Sequence, residues 1–253
     1  MDFALSDDQV ELKQAARAWL ADRFPLDRDW EAQDDRWSEL SDLGWLDVAE
    51  AGLGFVEEAL LLEETGYALY PGPFLAHLTN TTDVFGAGGD VQTVEETRPV
   101  HLVRDRKLGE DSPRFRAAAA AEALGVAQRA LDLGVDHAKT RMQFGKPIGT
   151  YQAVSHPLAQ TYTDVELARS LVYWAAWCVA EDDDRAPLAA AAAKAFATEA
   201  AVAACERSIQ AHGGIGFTWE HPLHRFYKRA LWLEGFGARP AELRLEVADA
   251  LLA

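Results

Sequence analysis

The chain has 253 residues, 49% of them hydrophobic and 26% charged, which is enough to bury a sizeable core as one or two domains. Its formal charge of −17, from 41 acidic against 24 basic side chains, argues against nucleic acid or an anionic membrane as the main partner. No uninterrupted apolar run reaches the roughly 20 residues of a bilayer span, and the start MDFALSDDQVELKQ lacks the basic-then-apolar order of a signal peptide.

Ser6, with Gln9 three residues later, forms a capping-box signature. Val10, Leu12, Ala16, Trp19 and Leu20 carry the helix it opens to Phe24-Pro25. A second helical pattern covers 36–43 and stops at Gly44. A third runs over 55–69 and is closed by Tyr70-Pro71-Gly72-Pro73, and a short fourth is expected over 74–82. Residues 83–112 lose the helical period and are rich in Gly, charge and β-branched side chains; VHLVRD suits one or two short strands. The stretch is too short for an independent β-barrel and reads as a linker or the remnant of a larger domain.

From Pro113 the helical signal is strong. Ala117, Ala121, Leu124, Leu131, Val135 and Ala138 keep a 4,3 rhythm that Gln128 interrupts. Val154, Leu158, Val165, Ala168, Val172, Ala175 and Val179 repeat it. After the acidic run Glu181–Asp184 come helices at about 187–211, 222–234 and 239–252. Long helices with short connections imply antiparallel neighbours packed at roughly 20°. The expected fold is therefore all-α: an N-terminal helical domain over 1–82, a connector over 83–112 and a C-terminal bundle over 113–253.

Two connections carry unusual residues. RMQFG at 141–145 follows the first long bundle helix. There Lys139 and Arg141 suit a helix C-terminus, and Gly145 and Pro147 suit a helix stop, so a plain connector explains each of them. QAHGGIGF at 210–217, expected at the other end of the bundle, places three Gly within four residues. Such glycines allow backbone N–H groups to approach a phosphate, or simply make a tight corner. His224, Arg225, Lys228 and Arg229 fall within six residues, either as an anion-binding face or as a solvated one. Cys178 and Cys205 belong to no metal-spaced pair and suit a reducing cytoplasm, and no metal site is expected. Phosphate-loop, dinucleotide, zinc-protease and serine-hydrolase signatures are missing. The residues by themselves do not reach a reaction.

Together, RMQFGKPIGTYQAVSHPLA and IQAHGGIGFTWEHPLHRFYKRA closely resemble the acyl-CoA dehydrogenase family. MDFALSDDQVELKQAARAWL, WSELSDLGWL and LEETGYALYPGPFLA resemble that family's N-terminal helical domain, so the likeness covers nearly everything outside 83–112. The resemblance implies FAD between a middle β-barrel domain and a C-terminal four-helix bundle. The two turns of one subunit would touch the pyrophosphate and adenosine end of the flavin in another. By resemblance Arg141, Gln143, Phe144, Gln210, Gly213 and Gly214 are flavin contacts. The implied reaction removes a proton α to the thioester of an acyl-CoA while the β-hydride passes to the flavin, and it needs a carboxylate base.

Two departures qualify this. The middle β-barrel domain cannot fit into 83–112, and the N-terminal domain lacks the Gly-rich loop usual after its helices. The family's base position immediately before the bundle-helix Arg aligns with Phe115, followed by Arg116. Its alternative base position is approached only by Glu234-Gly235, about three residues too close to Arg229; Glu234 is either a displaced base or an ordinary helix-end carboxylate. Glu122 aligns with neither position. Both departures fit a reduced subunit of the heteromeric α2β2 enzymes of bacterial steroid and lipid degradation, completing the FAD site of a full-length partner subunit in the cytoplasm. The alternatives are a stand-alone protein of this fold with non-redox chemistry on an acyl thioester, such as dehydration or cyclisation, and a purely structural subunit.

Overall fold

A computed structural model describes residues 4–30, 34–48, 52–79 and 111–252. The strands expected in VHLVRD and nearly all of the 83–112 connector lie outside the described residues.

Helix α1, Asp7–Arg23, begins as the capping box requires. Ser6 Oγ accepts from the Gln9 N–H at 3.2 Å, and Gln9 Oε1 accepts from the Ser6 N–H at 3.0 Å. A short α2, Trp37–Asp42, ends before Gly44, whose φ of 73° is the left-handed conformation that glycine adopts cheaply. Helix α3, Phe55–Ala68, is buried continuously from Glu58 to Gly66 and lies between α1 on one side and the bundle on the other. Helix α4, Phe74–Thr79, follows.

The bundle is built from α5 (Pro113–Thr140), α6 (Gln152–Ala180), α7 (Ala186–His212) and α8 (Leu223–Gly235), with α9 (Pro240–Leu252) packed on α7. Helices α5 and α7 make the most extensive contact. Both faces are alanine-rich, Ala117–Ala121 on one and Ala189–Ala204 on the other, so no long side chain holds the axes apart. By length and composition the segment Ala186–Phe217 matches a membrane span, with mean hydropathy 1.4, yet 67% of its apolar window is buried inside the bundle.

The crossing of α3 and α5 is closer still. A Cβ on Gly125 would sit 1.9 Å from the Glu63 carbonyl oxygen, and one on Gly66 would sit 2.2 Å from that of Glu122. Backbone lies on backbone there, and a single apolar cluster runs through α1, α3, α5, α6, α7 and α8. Near the start of α5, Arg114 Nε donates to the Leu78 carbonyl at 3.1 Å, and its guanidinium pairs with Glu58. The end of α4 is thereby tied beside the start of α5.

Among the described residues, buried charges join the layers through ion pairs or hydrogen bonds. Burial pushes the Glu63 carboxyl up, but Lys13 and Arg169 outweigh it and hold the group below its ordinary range. Lys13 Nζ lies 2.7 Å from Glu63, the Tyr173 hydroxyl donates to the same carboxylate at 2.8 Å, and Arg17 pairs with Glu64. Lys194, fully buried on α7, donates to the carbonyls of Phe236 at 2.7 Å and Ala238 at 2.6 Å and so closes the C-terminus of α8.

Candidate functional site

Helix α5 does not stop at a glycine. Its cap is Arg141, already extended at φ −72° and ψ 121°, whose N–H donates to the His137 carbonyl. Met142–Gln143 (β1) then pairs antiparallel with Lys146–Pro147 (β2), Gln143 opposite Lys146. Phe144 and Gly145 are the two residues of the hairpin loop, at φ 50° and 80°, and positive φ at both defines a type I′ turn. The expectation that Gly145 terminates the helix is thus corrected, because the glycine serves a hairpin. Phenylalanine in a left-handed conformation costs roughly 1 kcal/mol, and this ring is 92% exposed. Its only ring neighbour among the described residues is Tyr151, edge-on at 6.4 Å, and Lys146 Nζ sits 4.3 Å above the Tyr151 ring.

Helix α7 ends at Gly213, φ 66°, which enters the tight turn Gly213–Phe217. Gly216 is structural, since a Cβ there would lie 2.8 Å from the Ile209 carbonyl oxygen. Gly213 and Gly214 face open space, and Gln210 is exposed beside them.

The two turns occupy the same end of the bundle, and the expectation of opposite ends is overturned. The His137 ring, in the last turn of α5, stacks on the His212 ring, in the last turn of α7, with centroids 4.1 Å apart. The reason is parity: α6 returns the chain, so α5 and α7 both finish on one side. Arg141, Gln143, Phe144, Gln210, Gly213 and Gly214 all lie at that end, and all six are exposed. Five large apolar side chains of the same turns, Met142, Phe144, Ile215, Phe217 and Trp219, are also exposed. An open groove of about 780 Å³ leads from Pro147, Gly149 and Thr150 along α5, where Arg129 donates to the Tyr67 hydroxyl at 2.8 Å.

Glu234 is elsewhere. It stands in the last turn of α8, two residues before Phe236, whose ring lies 5.7 Å from that of Phe115 near the start of α5. Arg141 is a whole helix away, about 39 Å at 1.5 Å per residue. Phe115 itself is buried, and Arg116 is held by Asp111 at 2.8 Å and Glu246 at 2.5 Å, so the expected base position carries no ionisable group. Glu122 is engaged structurally. Arg229 turns inward and meets it through two bonds, Nε to Oε1 at 2.5 Å and Nη2 to Oε2 at 2.8 Å, with Trp232 stacked 4.1 Å from the guanidinium.

That pairing removes Arg229 from the expected basic face. Its remaining members gather at Trp219, with the His224 ring at 4.6 Å, Lys228 Nζ at 4.6 Å and Arg225 at 5.6 Å. Sequence reasoning singled out His224 but missed that histidines distant in the chain stack together here. His212 also meets His221 at 4.4 Å, forming a row with His137 that wide separation along the chain conceals.

Comparison with known proteins agrees with this architecture. Residues 113–248, more than half of the chain, match the family described as acyl-CoA dehydrogenase, C-terminal domain. The chain is 46% identical over 111 residues to acyl-CoA dehydrogenase IpdE2 of Mycobacterium tuberculosis, covering 44% of this chain and 33% of that protein. It therefore aligns with only about a third of that relative's length. The fold likeness reaches further than the sequence likeness. The ChsE4-ChsE5 complex from Mycobacterium tuberculosis superposes with TM-score 0.76 at 20% identity, over 100% of this chain and 99% of the matched one. Butyryl-CoA dehydrogenase from Megasphaera elsdenii does so with TM-score 0.77 at 18% identity, over the whole of both. From its bundle helices, its two turns and these matches, the chain belongs to the acyl-CoA dehydrogenase family.

Proposed function

We propose that the chain is a subunit of a flavin-dependent acyl-CoA dehydrogenase and completes a FAD site held mainly by a partner subunit. The observation that carries this reading is the exposure, at one end of the bundle, of all six residues that resemble flavin contacts. The residues fit the phosphate-bearing end of the cofactor. Arg141 is an exposed cation at the base of a hairpin, and Gly213 and Gly214 leave room that a Cβ would take from an incoming ligand. Among the described residues nothing requires a glycine at 214, where a Cβ would meet no atom within 4 Å.

FAD, when bound, supplies acceptance of the substrate's β-hydride. This chain's own residues bind and orient: Arg141 faces phosphate, Gln143 and Gln210 supply amide donors, and Phe144 with Ile215 and Phe217 excludes water against the partner. The base belongs to the partner on this reading, since Phe115 fills one family position and Glu234 stands in the distant turn of α8. The likeness to a complex of two named components supports a heteromer. Residues 1–82 and 113–253 then act as the N- and C-terminal domains, with 83–112 in place of a middle domain. The name of the relative IpdE2 supports an acyl-CoA as the substrate; an origin in steroid or lipid degradation, in the cytoplasm, is what the family resemblance of the two turns implies.

Flavin absorbance tests the reading. The chain alone is expected to purify colourless and to yield a yellow complex when co-expressed with a full-length family member, with Arg141→Ala reducing flavin retention. Stoichiometric flavin on the isolated chain, or no complex with any such partner, would overturn it.

A further inference from the structure

The open groove of about 780 Å³ beside α5 takes no part in the flavin reading, since none of the six flavin-like contacts lines it. Its walls are α5 over 128–139 and α6 over 155–162, with the turn 147–150 at one end. From Arg129 to Lys139 the helix rises about 15 Å at 1.5 Å per residue. Leu131, Val135, Ala138, Leu158 and Ala159 make the middle apolar, and the polar side chains lie toward the ends. A cleft of this volume, apolar along its length with a few placed polar groups, has the form of a site for a small amphipathic molecule. At the hairpin end Asp136 and Lys139 are both exposed and opposite in sign.

At the other end the polar groups meet on Tyr67 of α3. Its hydroxyl accepts from Arg129 Nη1 at 2.8 Å and donates to Asp132 Oδ2 at 2.8 Å. Gln128 Nε2 donates to the second Asp132 oxygen, also at 2.8 Å, so both carboxylate oxygens are engaged by the wall. The Arg129 guanidinium is less well provided for. Its Nε is closed off from solvent without a hydrogen bond. Among the described residues Nη2 has no hydrogen-bond partner, and no carboxylate stands within ion-pair distance of the group. Arg17, Arg114, Arg116, Arg169 and Arg229 each have such a carboxylate, in Glu64, Glu58, Asp111, Glu63 and Glu122. The Tyr67 ring offers Arg129 little more, because Arg17 lies 3.4 Å from its centroid and Arg129 4.6 Å, two cations on one ring. A half-buried cation with one hydrogen bond, at the end of an apolar groove, calls for an anion.

We propose that this groove binds an amphipathic monocarboxylate, a free organic acid with an apolar body, whose head sits on Arg129. Nη2 donates to the carboxylate in a charge-assisted hydrogen bond, while Nη1 keeps its bond to Tyr67. The body lies against Leu131, Val135, Leu158 and Ala159 and points toward the turn 147–150. Each methylene taken out of water there tightens binding roughly fourfold. Asp132, one hydroxyl away from Arg129, limits the head to a single negative charge, since a dianion would face its carboxylate. An alcohol of the same length leaves Arg129 without its anion, and an amine adds a second cation. The site uses only α3, α5, α6 and the turn between α5 and α6, so it requires neither flavin nor partner.

Titration calorimetry of the full chain at pH 7.5 tests this with decanoate below its micelle concentration, and with 1-decanol and decylammonium as probes of the same length. Decanoate should saturate one site per chain, with the alcohol and the amine weaker by about tenfold or more. Arg129→Met should weaken decanoate by about 10- to 100-fold and leave 1-decanol unchanged, and Arg129→Lys should recover part of the loss. Ala159→Trp, at an exposed position on the groove wall, should fill the groove, abolish decanoate binding and leave the melting temperature of the free chain unchanged. If Arg129→Met does not fold, the three probes and Ala159→Trp still decide the matter. No saturable binding, equal affinity for decanoate and 1-decanol, or decanoate binding that survives either Arg129→Met or Ala159→Trp would overturn the site. A chain that recruits no yellow complex can still bind decanoate, and one that recruits it can still fail to, so the two readings fall separately.

Discussion

Replacing Phe144 by Asn should act in opposite directions on the isolated chain and on its complex. In the chain alone the ring is 92% exposed and contributes little packing, while its φ of 50° is unfavourable for an aromatic residue. Asn tolerates that conformation, and Asn-Gly is the preferred pair for a type I′ loop. The variant should gain about 1 kcal/mol, which for a chain of this size raises Tm by roughly 2–4 °C. In the complex the same ring is expected to be covered by the partner, where full burial of a Phe is worth about 1.5–3 kcal/mol. Its loss should weaken association by roughly 10- to 150-fold. Differential scanning calorimetry of the chain and titration calorimetry with the partner read the two effects separately. A variant that melts lower and assembles unchanged would refute the reasoning, since Phe144 would then be serving the chain's own stability.

Gly125→Ala should destabilise the chain by about 3 kcal/mol or more in urea melts, because the new methyl meets the Glu63 carbonyl and backbone cannot rotate away. Arg229→Met should cost about 3–5 kcal/mol by stranding the Glu122 carboxylate, and adding Glu122→Leu should restore most of the loss; a double variant no better than the single one would count against the buried pair as cause. Lys194 gives a stability that rises with pH in the alkaline range. Burial holds its amine at about 8 against 10.5 in the unfolded chain, so below pH 8 both states carry the proton and the penalty is complete. Between pH 8 and 10 the unfolded chain binds more protons, and stability should rise by about 2 kcal/mol, a rise that Lys194→Met removes.

Most element boundaries were legible because caps and breakers are local. Ser6 with Gln9, Gly44, and Pro113 after Ser112 each act within one turn of the residue they terminate. The left-handed Leu69 at the end of α3 carries no such mark, being held by the packing around it. The hairpin 142–147 escaped because two-residue strands have no period to detect. Arg229 looked like part of a basic surface, yet it falls on the stripe Phe226, Ala230, Leu233 that α8 buries, a signal present in the sequence and not used. The histidine row was beyond sequence reasoning altogether, since only the packing of α5 against α7 brings residues 137 and 212 together.

The tie between Arg114, the Leu78 carbonyl and Glu58 bears on how this architecture tolerates change. It fixes the exit of α4 against the entrance of α5 whatever chain runs between Thr79 and Asp111. The ends of any insert are thus brought together by the helical frame, so the insert closes a loop that already exists. Doubling its length then adds only about 0.6 kcal/mol of closure entropy. A graft point of this kind lets a whole domain be gained or shed between the same two helices while the Gly66–Gly125 crossing, and the face that carries Arg141, stay where they are.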